Sequence, residues 1–247
     1  MLTDLEEVAD RYVRWRFPEG AAARRSISEL RRLPLRLSPA YCRAVADHFD
    51  RAPVVPADAR LRAAYRSLQE ENLAQYQAIL DAGLRVEPWL GEGAPYRNSR
   101  HLYERVRATG VLHVHLTRSG HGPARPRLPH PMREPAGITS GGVEFAHNDV
   151  FRAVHDVFGH VMHGNAFGPR GEFRATYCHL TMYPASVHPV LFAEQVGQFC
   201  WFYYGPHLAD AAPGEPGHVP PSERPYPEQK LLVFPRAYLD GFLRAFG

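Results

Sequence analysis

Apolar and polar residues alternate along most of the chain with the period of an α-helix. In the first third, apolar residues recur at this spacing in three stretches: residues 2–13, 38–50 and 57–82. Ser38 and Pro39 suit the N-cap and first turn of the second helix, and Gly83 suits the end of the third. We therefore expect residues 1–83 to form an N-terminal helical layer.

The rest of the chain mixes short strands with helices. Strands are predicted over 84–86 and 111–116, with a helix over 99–108 between them. Residues 119–142 contain five prolines and five glycines, and residues 205–227 contain seven prolines. Both stretches are predicted to be long loops, which are uncommon unless they serve a site, so we interpret them as lids over a pocket.

The predicted fold class is mainly α with a few short β-strands. A chain of 247 residues is long enough to bury one full core, so we expect one domain over 1–247. Within it, residues 84–247 would form a catalytic core beside the helical layer. The net charge of +3 is too small to indicate nucleic acid as a partner, and the oligomeric state stays open.

Composition also bears on the cellular compartment. No run of 18 or more apolar residues is present, so no membrane span is expected, and the acidic N-terminus is not typical of a secretory signal. The cysteines, Cys42, Cys178 and Cys200, are too few and too scattered for a disulfide framework. A cytoplasmic location is the prediction that follows from these observations.

Two histidines five residues apart, His155 and His160, are the first candidates for chemistry. They lie on a predicted helix from Asp149 to about His163, with Asn148 as its N-cap. Five residues of a straight α-helix turn through about 500°, which leaves the two rings about 140° apart. The rings can converge if the helix contains a single wide turn, or if Gly159 lets the backbone distort.

Glu194 is the second candidate, on a helix predicted over 189–204. Two apolar stripes cover so much of this helix that it must be buried. A buried carboxylate needs a paired charge or a metal ion, because desolvation otherwise costs several kcal/mol. Two imidazoles and one carboxylate are the ligand set of mononuclear iron oxygenases, which leave one face of the metal open. His155, His160 and Glu194 are thus the predicted metal ligands.

The stretch from Asn148 to Gly205 resembles the iron-binding core of the aromatic amino acid hydroxylases. That family carries a His-Glu-x-x-Gly-His motif, an amphipathic helix, and then a glutamate on a helix rich in aromatic residues. Residues 155–160, His-Asp-Val-Phe-Gly-His, match the first element, except that Asp156 replaces the family's glutamate. Glu194 and the aromatic run 199–203 match the last element.

The resemblance implies an aromatic amino acid hydroxylase-like catalytic core and an Fe(II)-dependent monooxygenase. Its substrates would be dioxygen and an aromatic amino acid or a related small aromatic molecule. Asp156 would act beside the metal by orienting a ligand. The family also uses a tetrahydropterin, although the residues after Ser99-Arg100 depart from its pterin-contacting pattern.

Four residues are candidates for binding the substrate. Trp201 and Tyr203 would shape an aromatic pocket, while Arg152 and Arg174 lie close enough in sequence to hold a carboxylate. Aromatic residues at helical spacing usually pack in the core, and arginines near helix ends are usually solvated.

Two other functions fit the same residues. A zinc hydrolase also uses two histidines and one glutamate, with Asp156 then serving as a general base. Alternatively, the chain is a non-catalytic interaction domain in which the histidines are structural. A cysteine nucleophile is a poorer fit, because Cys178 and His179 are adjacent and face different directions on a helix.

Overall fold

Helices dominate the structure, a computed structural model that describes residues 4–19, 26–54, 56–120, 128–208 and 218–247. The α-helices in these ranges are α1 Leu5–Arg16, α2 Ile27–Leu30, α3 Pro39–Arg51, α4 Ala59–Asp81, α5 Ser99–Thr109, α6 Thr117–Gly120, α7 His147–Val154, α8 Pro169–Leu180, α9 His188–Phe192, α10 Gln198–Tyr204 and α11 Arg236–Arg244. The predicted fold class, mainly α with short strands, is confirmed.

The N-terminal helices begin and end near the predicted residues. The Ser38 hydroxyl accepts a hydrogen bond from the Tyr41 N–H and so caps α3, which continues to Arg51. The longest helix, α4, ends at Asp81, and Gly83 follows it with a φ of +88°. This left-handed conformation strains any residue with a Cβ atom, which is why glycine is suited to the end of α4.

Four short strands form two separate two-stranded sheets. Strands β1 (Arg85–Trp89) and β2 (Val111–His115) pair in parallel, joined by α5 as the crossover. Strands β3 (Pro135–Ser140) and β4 (Val143–Ala146) form an antiparallel hairpin. The prediction of a continuous loop over 119–142 is therefore corrected in part, because β3 lies inside it. Residues 121–127 of that stretch are outside the described residues.

Two helical segments contain a π-turn, in which hydrogen bonds join residues five apart. The first π-turn, His155–Val161, directly follows α7, and the second, Ala193–Gly197, lies between α9 and α10. Such wide turns are rare and occur frequently at functional sites. Both coincide with the residues that the sequence singled out.

One hydrophobic core joins the N-terminal helices to the rest of the molecule. It includes Leu68 of α4, Val154 of α7 and Phe192 of α9, each with no exposed side chain. Helix α3 packs along α10, and α4 packs along α7. The helical layer thus supports the segments that carry the candidate site. Within the described ranges, no helix has the length and apolarity needed to cross a bilayer.

Candidate metal centre

The helix that leads into the first π-turn is anchored by Asp149. Its carboxylate accepts hydrogen bonds from the Ala146 N–H (2.9 Å) and from the N–H and hydroxyl of Thr117 (2.6 Å each). The predicted cap, Asn148, instead lies inside α7 and donates its side-chain N–H to the Thr117 hydroxyl. The cap assignment is therefore corrected by two residues, because the helix begins earlier than its apolar stripe.

The first π-turn brings the two histidine rings together. His155 Nε2 and His160 Nε2 lie 3.2 Å apart, and the ring planes are nearly perpendicular. Because i→i+5 bonds make about one turn from five residues, the two side chains stand on the same side of the helix. The prediction that a wide turn would allow the rings to converge is confirmed.

Gly159 contributes space to this turn. Its φ is not positive, so the predicted role of backbone freedom is corrected. A Cβ atom at this position would lie 3.2 Å from the ring atoms Nδ1 and Cε1 of His155 and 3.1 Å from Ala175 Cβ. Glycine therefore leaves room for the His155 ring between the π-turn and α8.

Glu172, in the first turn of α8, completes a group of three potential ligands. Its Oε2 atom lies 3.4 Å from His155 Nε2 and 3.5 Å from His160 Nε2. The three ligand atoms lie within 4.8 Å of one another. Among the described residues, they form the group of three side chains that could hold a metal ion. The carboxylate beside the histidines is thus Glu172.

The spacing of these three atoms suits a metal ion. Bonds of about 2.0–2.1 Å arranged tetrahedrally separate ligand atoms by about 3.3–3.4 Å, and octahedral bonds separate them by about 3.0 Å. The observed separations of 3.2, 3.4 and 3.5 Å lie close to these values. His160 is also oriented as a ligand, because its Nδ1–H donates to the Asn165 carbonyl (3.0 Å) and its Nε2 atom, whose proton a metal ion would displace, faces the other two ligand atoms.

The charges in this group depend on each other. Burial would raise the pKa of Glu172, but the two imidazoles lower it below its usual range. Burial would lower the pKa of His160, but the Glu172 carboxylate raises it to about 9. The carboxylate is therefore ionised at neutral pH and provides the negative charge that a cation site needs.

Asp156 lies next to this group. Burial raises its pKa above the usual value, while the charges of His160, His155 and Arg152 oppose that shift. A carboxyl group of this kind can exchange a proton closer to neutral pH than a free aspartate can. Its predicted place beside the ligands agrees with these electrostatic neighbours.

Glu194 occupies a different polar cluster. Its Oε1 atom accepts a hydrogen bond from the Tyr65 hydroxyl and lies 3.2 Å from His130 Nε2. Its Oε2 atom accepts from the Gln198 amide at 2.9 Å and from the Gln229 amide at 3.5 Å. The structure thus corrects the prediction that Glu194 completes the ligand set with His155 and His160.

The physical reason is that this buried carboxylate has its charge satisfied by hydrogen bonds. Burial would raise the pKa of Glu194, but His130 and the donors around it hold the pKa below its usual value. The sequence argument correctly required a partner for a buried charge, but Tyr65 and His130 lie far away along the chain. The helical pattern of the sequence therefore could not identify these partners.

The two aromatic substrate candidates face different surroundings. Burial and the charge of Glu172 raise the pKa of Tyr203 to about 12, and its ring packs edge-on against Phe202. Trp201 donates its indole N–H to Asp50 (2.8 Å) and stacks on His207. Trp201 therefore joins α10 to α3, and its predicted substrate role has no support from these contacts.

The two arginine candidates are bound to backbone carbonyl groups. Arg152 is partly buried and donates to the His115 carbonyl, and burial lowers its pKa. Arg174 donates to the Leu33 carbonyl (2.9 Å), between α2 and α3. Arg152 remains near Asp156, whereas Arg174 binds the N-terminal layer and does not join the metal group.

The cysteines are all free and buried. Cys178 Sγ lies 3.5 Å from His163 Nδ1, so its neighbour in space is His163 and not the adjacent His179. Burial raises the pKa of Cys178 to about 12 and lowers the pKa of His163 to about 4. The pair is therefore neutral at physiological pH, which does not favour a thiolate nucleophile.

Sequence reasoning missed three residues of this region: Glu172, Gln195 and His179. Glu172 stands one turn into a helix that begins at Gly168-Pro169, only 12 residues after His160. This placement was a usable signal, because a short connection returns the chain to the end of the histidine helix. Gln195 and His179 carry no such signal, since they act through contacts between helices.

Three comparisons were made, with protein-family models, curated proteins and solved structures, and each found no match. The resemblance to the aromatic amino acid hydroxylases therefore depends on the motif residues alone. Of these residues, the two histidines converge, whereas the carboxylate beside them comes from α8 and not from the helix that carries Glu194.

Proposed function

We propose that this protein is a mononuclear non-haem iron-dependent oxygenase whose metal ligands are His155, His160 and Glu172. The observation that carries the proposal is the convergence of one atom from each side chain within 4.8 Å. Two imidazoles and one carboxylate form the facial ligand set of Fe(II) oxygenases. The proposal thus keeps the histidines of the sequence analysis and replaces Glu194 with Glu172.

When held by His155, His160 and Glu172, an Fe(II) ion would supply dioxygen activation. The surrounding residues supply orientation and proton transfer. The Asn165 carbonyl fixes the His160 ring through its Nδ1–H. Asp156, with its raised pKa, holds or accepts a proton next to the ligands.

We further propose an aromatic amino acid or a related small aromatic molecule as the substrate. The ring of Phe167 packs edge-on against His160 with a centroid separation of 4.9 Å, and 42% of Phe167 is exposed. The charge of Glu172 contributes to the raised pKa of Tyr203, and Arg224 stands 5.8 Å from the Tyr203 ring centroid. A partly exposed aromatic ring against a ligand favours a planar, aromatic substrate, and the amino acid follows from the resemblance of the motif.

The first test measures metal content and oxygen consumption. Protein purified without oxygen is loaded with Fe(II), mixed with aromatic amino acids or simple aromatic acids, and followed with an oxygen electrode. The assay is run with and without a tetrahydropterin, because the ligand set does not supply an electron source. Oxygen uptake that needs both Fe(II) and an aromatic substrate is the expected result, and its absence with every substrate would reject the oxygenase.

Two isosteric variants test the ligand assignment. Glu172→Gln should lower Fe(II) affinity at least about 100-fold, because it removes an anionic ligand while preserving the shape of the side chain. Glu194→Gln should retain the metal and lose thermal stability, because it leaves the cluster around Tyr65 and His130 without its charge. The reverse result would restore Glu194 as the ligand.

A zinc hydrolase is the second candidate, and the position of Asp156 favours it. A carboxyl group with a raised pKa beside a two-histidine, one-carboxylate site is suited to act as a general base. Hydrolysis of test esters or amides by the zinc-loaded protein, without oxygen uptake by the Fe(II) form, would select this function. Asp156→Asn should then abolish turnover and leave zinc binding intact.

A further inference from the structure

The second ring nitrogen of His155 contacts Gln195. The Nε2 atom of Gln195 lies 2.7 Å from His155 Nδ1 and 3.0 Å from His179 Nδ1. Gln195 belongs to the second π-turn, so one wide turn holds the two histidine ligands and the other holds the residue that contacts His155 from behind. A single side-chain amide thus bridges the metal group and a buried histidine.

His179 determines the direction of this hydrogen bond. The Gln75 amide donates to the Met182 carbonyl (3.1 Å), which turns its own oxygen toward His179 Nε2 at 3.2 Å. The Tyr183 hydroxyl, 2.8 Å from the same Nε2 atom, gives its hydrogen to Asn72 and therefore also accepts. Both neighbours of His179 Nε2 are acceptors, so this nitrogen carries the proton and His179 Nδ1 is an acceptor. The pKa of His179 lies well below its usual value because the residue is buried, so the ring is neutral.

The amide nitrogen of Gln195 therefore donates to both Nδ1 atoms. In a neutral His155 ring, an accepting Nδ1 places the proton on Nε2. That Nε2 atom faces Glu172 and His160, at the position where a metal ion needs a lone pair. The hydrogen-bond network of the metal-free protein thus puts a proton on one of the three ligand atoms.

Rotation of the Gln195 amide by half a turn reverses this arrangement. The Oε1 atom of Gln195 is buried and has no hydrogen-bond partner within the described residues. Turned toward His155, it would accept a hydrogen from Nδ1 and leave the lone pair on Nε2. The number of protons on the ring does not change, because the proton lost from Nε2 to solvent is replaced by one taken up at Nδ1.

We propose that Gln195 is a positioning residue that controls metal loading by selecting which nitrogen of His155 carries the proton. His179 opposes metal binding, because its Nδ1 atom accepts a hydrogen bond from the Gln195 amide nitrogen and so keeps that nitrogen facing both histidines. This inference rests on the proposed metal site at His155, His160 and Glu172. It adds to that site a residue that is not a ligand and that nevertheless governs metal binding.

The first experiment reads the position of the proton in metal-free protein. Nitrogen-15 NMR of the histidine rings should show the His155 proton on Nε2 in the wild type and on Nδ1 in Gln195→Glu, whose oxygens only accept. The same tautomer in both proteins would overturn the inference. This readout needs no metal, so it stands apart from the test of the proposed function.

The second experiment measures affinity for Co(II), whose absorption bands report coordination. Gln195→Glu and His179→Phe should each bind Co(II) at least about 10-fold more tightly than the wild type. Both changes let His155 carry its proton on Nδ1, which leaves a lone pair on Nε2 for the metal ion. His179→Phe adds no charge and so separates this effect from simple attraction. Gln195→Met is the matched control, because it removes the donor without supplying a strong acceptor, and it should gain less affinity than Gln195→Glu.

The outcomes separate two kinds of failure. Folded variants that bind Co(II) no more tightly than the wild type would reject the role of Gln195 while leaving the ligands in place. A wild type that binds neither Co(II) nor Fe(II) would reject the proposed function. The NMR comparison would then still decide whether Gln195 sets the tautomer of His155.

Discussion

Glu172 and Glu194 are the same residue type, yet Glu172 is partly exposed, Glu194 is buried, and their surroundings give them different roles. Glu172 faces two imidazoles whose positions suit a cation, whereas Glu194 is surrounded by a hydroxyl, an imidazole and two amide groups. A carboxylate whose lone pairs are already used by donors has little to offer a metal ion. The partners of each residue therefore decide its chemistry.

Tyr65→Phe tests the structural role of Glu194. It removes the hydroxyl that donates to Glu194 Oε1 and leaves a buried carboxylate with one donor fewer. We expect the free energy of unfolding to fall by about 1–3 kcal/mol and metal affinity to stay unchanged. Urea denaturation and metal titration measure the two quantities, and lost metal binding at unchanged stability would contradict this account.

At the level of elements, the π-turns perform the task that an α-helix cannot. Residues five apart diverge on an α-helix, whereas the first π-turn brings His155 and His160 to one side. The second π-turn directs Glu194 and Gln195 into two separate polar clusters. Each wide turn is costly in isolation, so tertiary packing must maintain both.

Gly159→Ala tests the first π-turn. Alanine normally stabilises a helix relative to glycine by about 1 kcal/mol, but its Cβ would press on the His155 ring and on Ala175. We expect metal affinity to fall about 10-fold or more, as measured by titration calorimetry. Gly83→Ala is the control, because it lies in open space at a positive φ and should lower stability without changing affinity.

Across the whole molecule, the N-terminal layer completes the surroundings of the candidate site. Tyr65 of α4 supports Glu194, and Glu6 of α1 lies 3.6 Å from His163 Nε2. The predicted layer 1–83 is thus bound to the core 84–247 through buried polar contacts as well as apolar packing. Changes in the layer should therefore affect the stability of the whole fold.

His163 should make that stability depend on pH. Its side chain has no exposed surface, and burial lowers its pKa to about 4. The unfolded chain gains a proton at this residue below about pH 6.5, whereas the folded chain gains it only below about pH 4, so stability falls as the pH drops through this window. Relative to His163→Gln, the wild type should lose about 3 kcal/mol between these limits.

Chemical denaturation of both proteins at a series of pH values measures this difference. The comparison with His163→Gln removes the contributions of other groups that titrate in the same range. Parallel pH profiles for the two proteins would show that His163 does not titrate as its burial requires.

Metal binding should stabilise the whole chain. A ligand at about 100 times its Kd adds about 2.7 kcal/mol when it binds only the folded state. Wild type and Glu104→Gln, an exposed glutamate on α5, should show a melting temperature raised by several degrees in Fe(II) or Zn(II). Glu172→Gln should show no rise, and a rise equal to that of the wild type would remove Glu172 from the site.

Local patterns in the sequence were sufficient for α1, α3 and α4 and for the positions of β1 and β2, and they indicated that a wide turn could bring His155 and His160 together. Helix caps, apolar periodicity and glycine stops act within a few residues, so the sequence determines them directly. The hydroxylase-like core remains a prediction, as do the metal and the substrate.

Tertiary structure alone decided which carboxylate joins the histidines. Helix α8 returns beside the first π-turn and presents Glu172, while Tyr65 and His130 approach Glu194 from elements far away in sequence. The cost of burying a charge shows that a partner must exist, but it does not identify that partner. The packing of the helices determines which residue becomes the partner, and this packing depends on contacts throughout the chain.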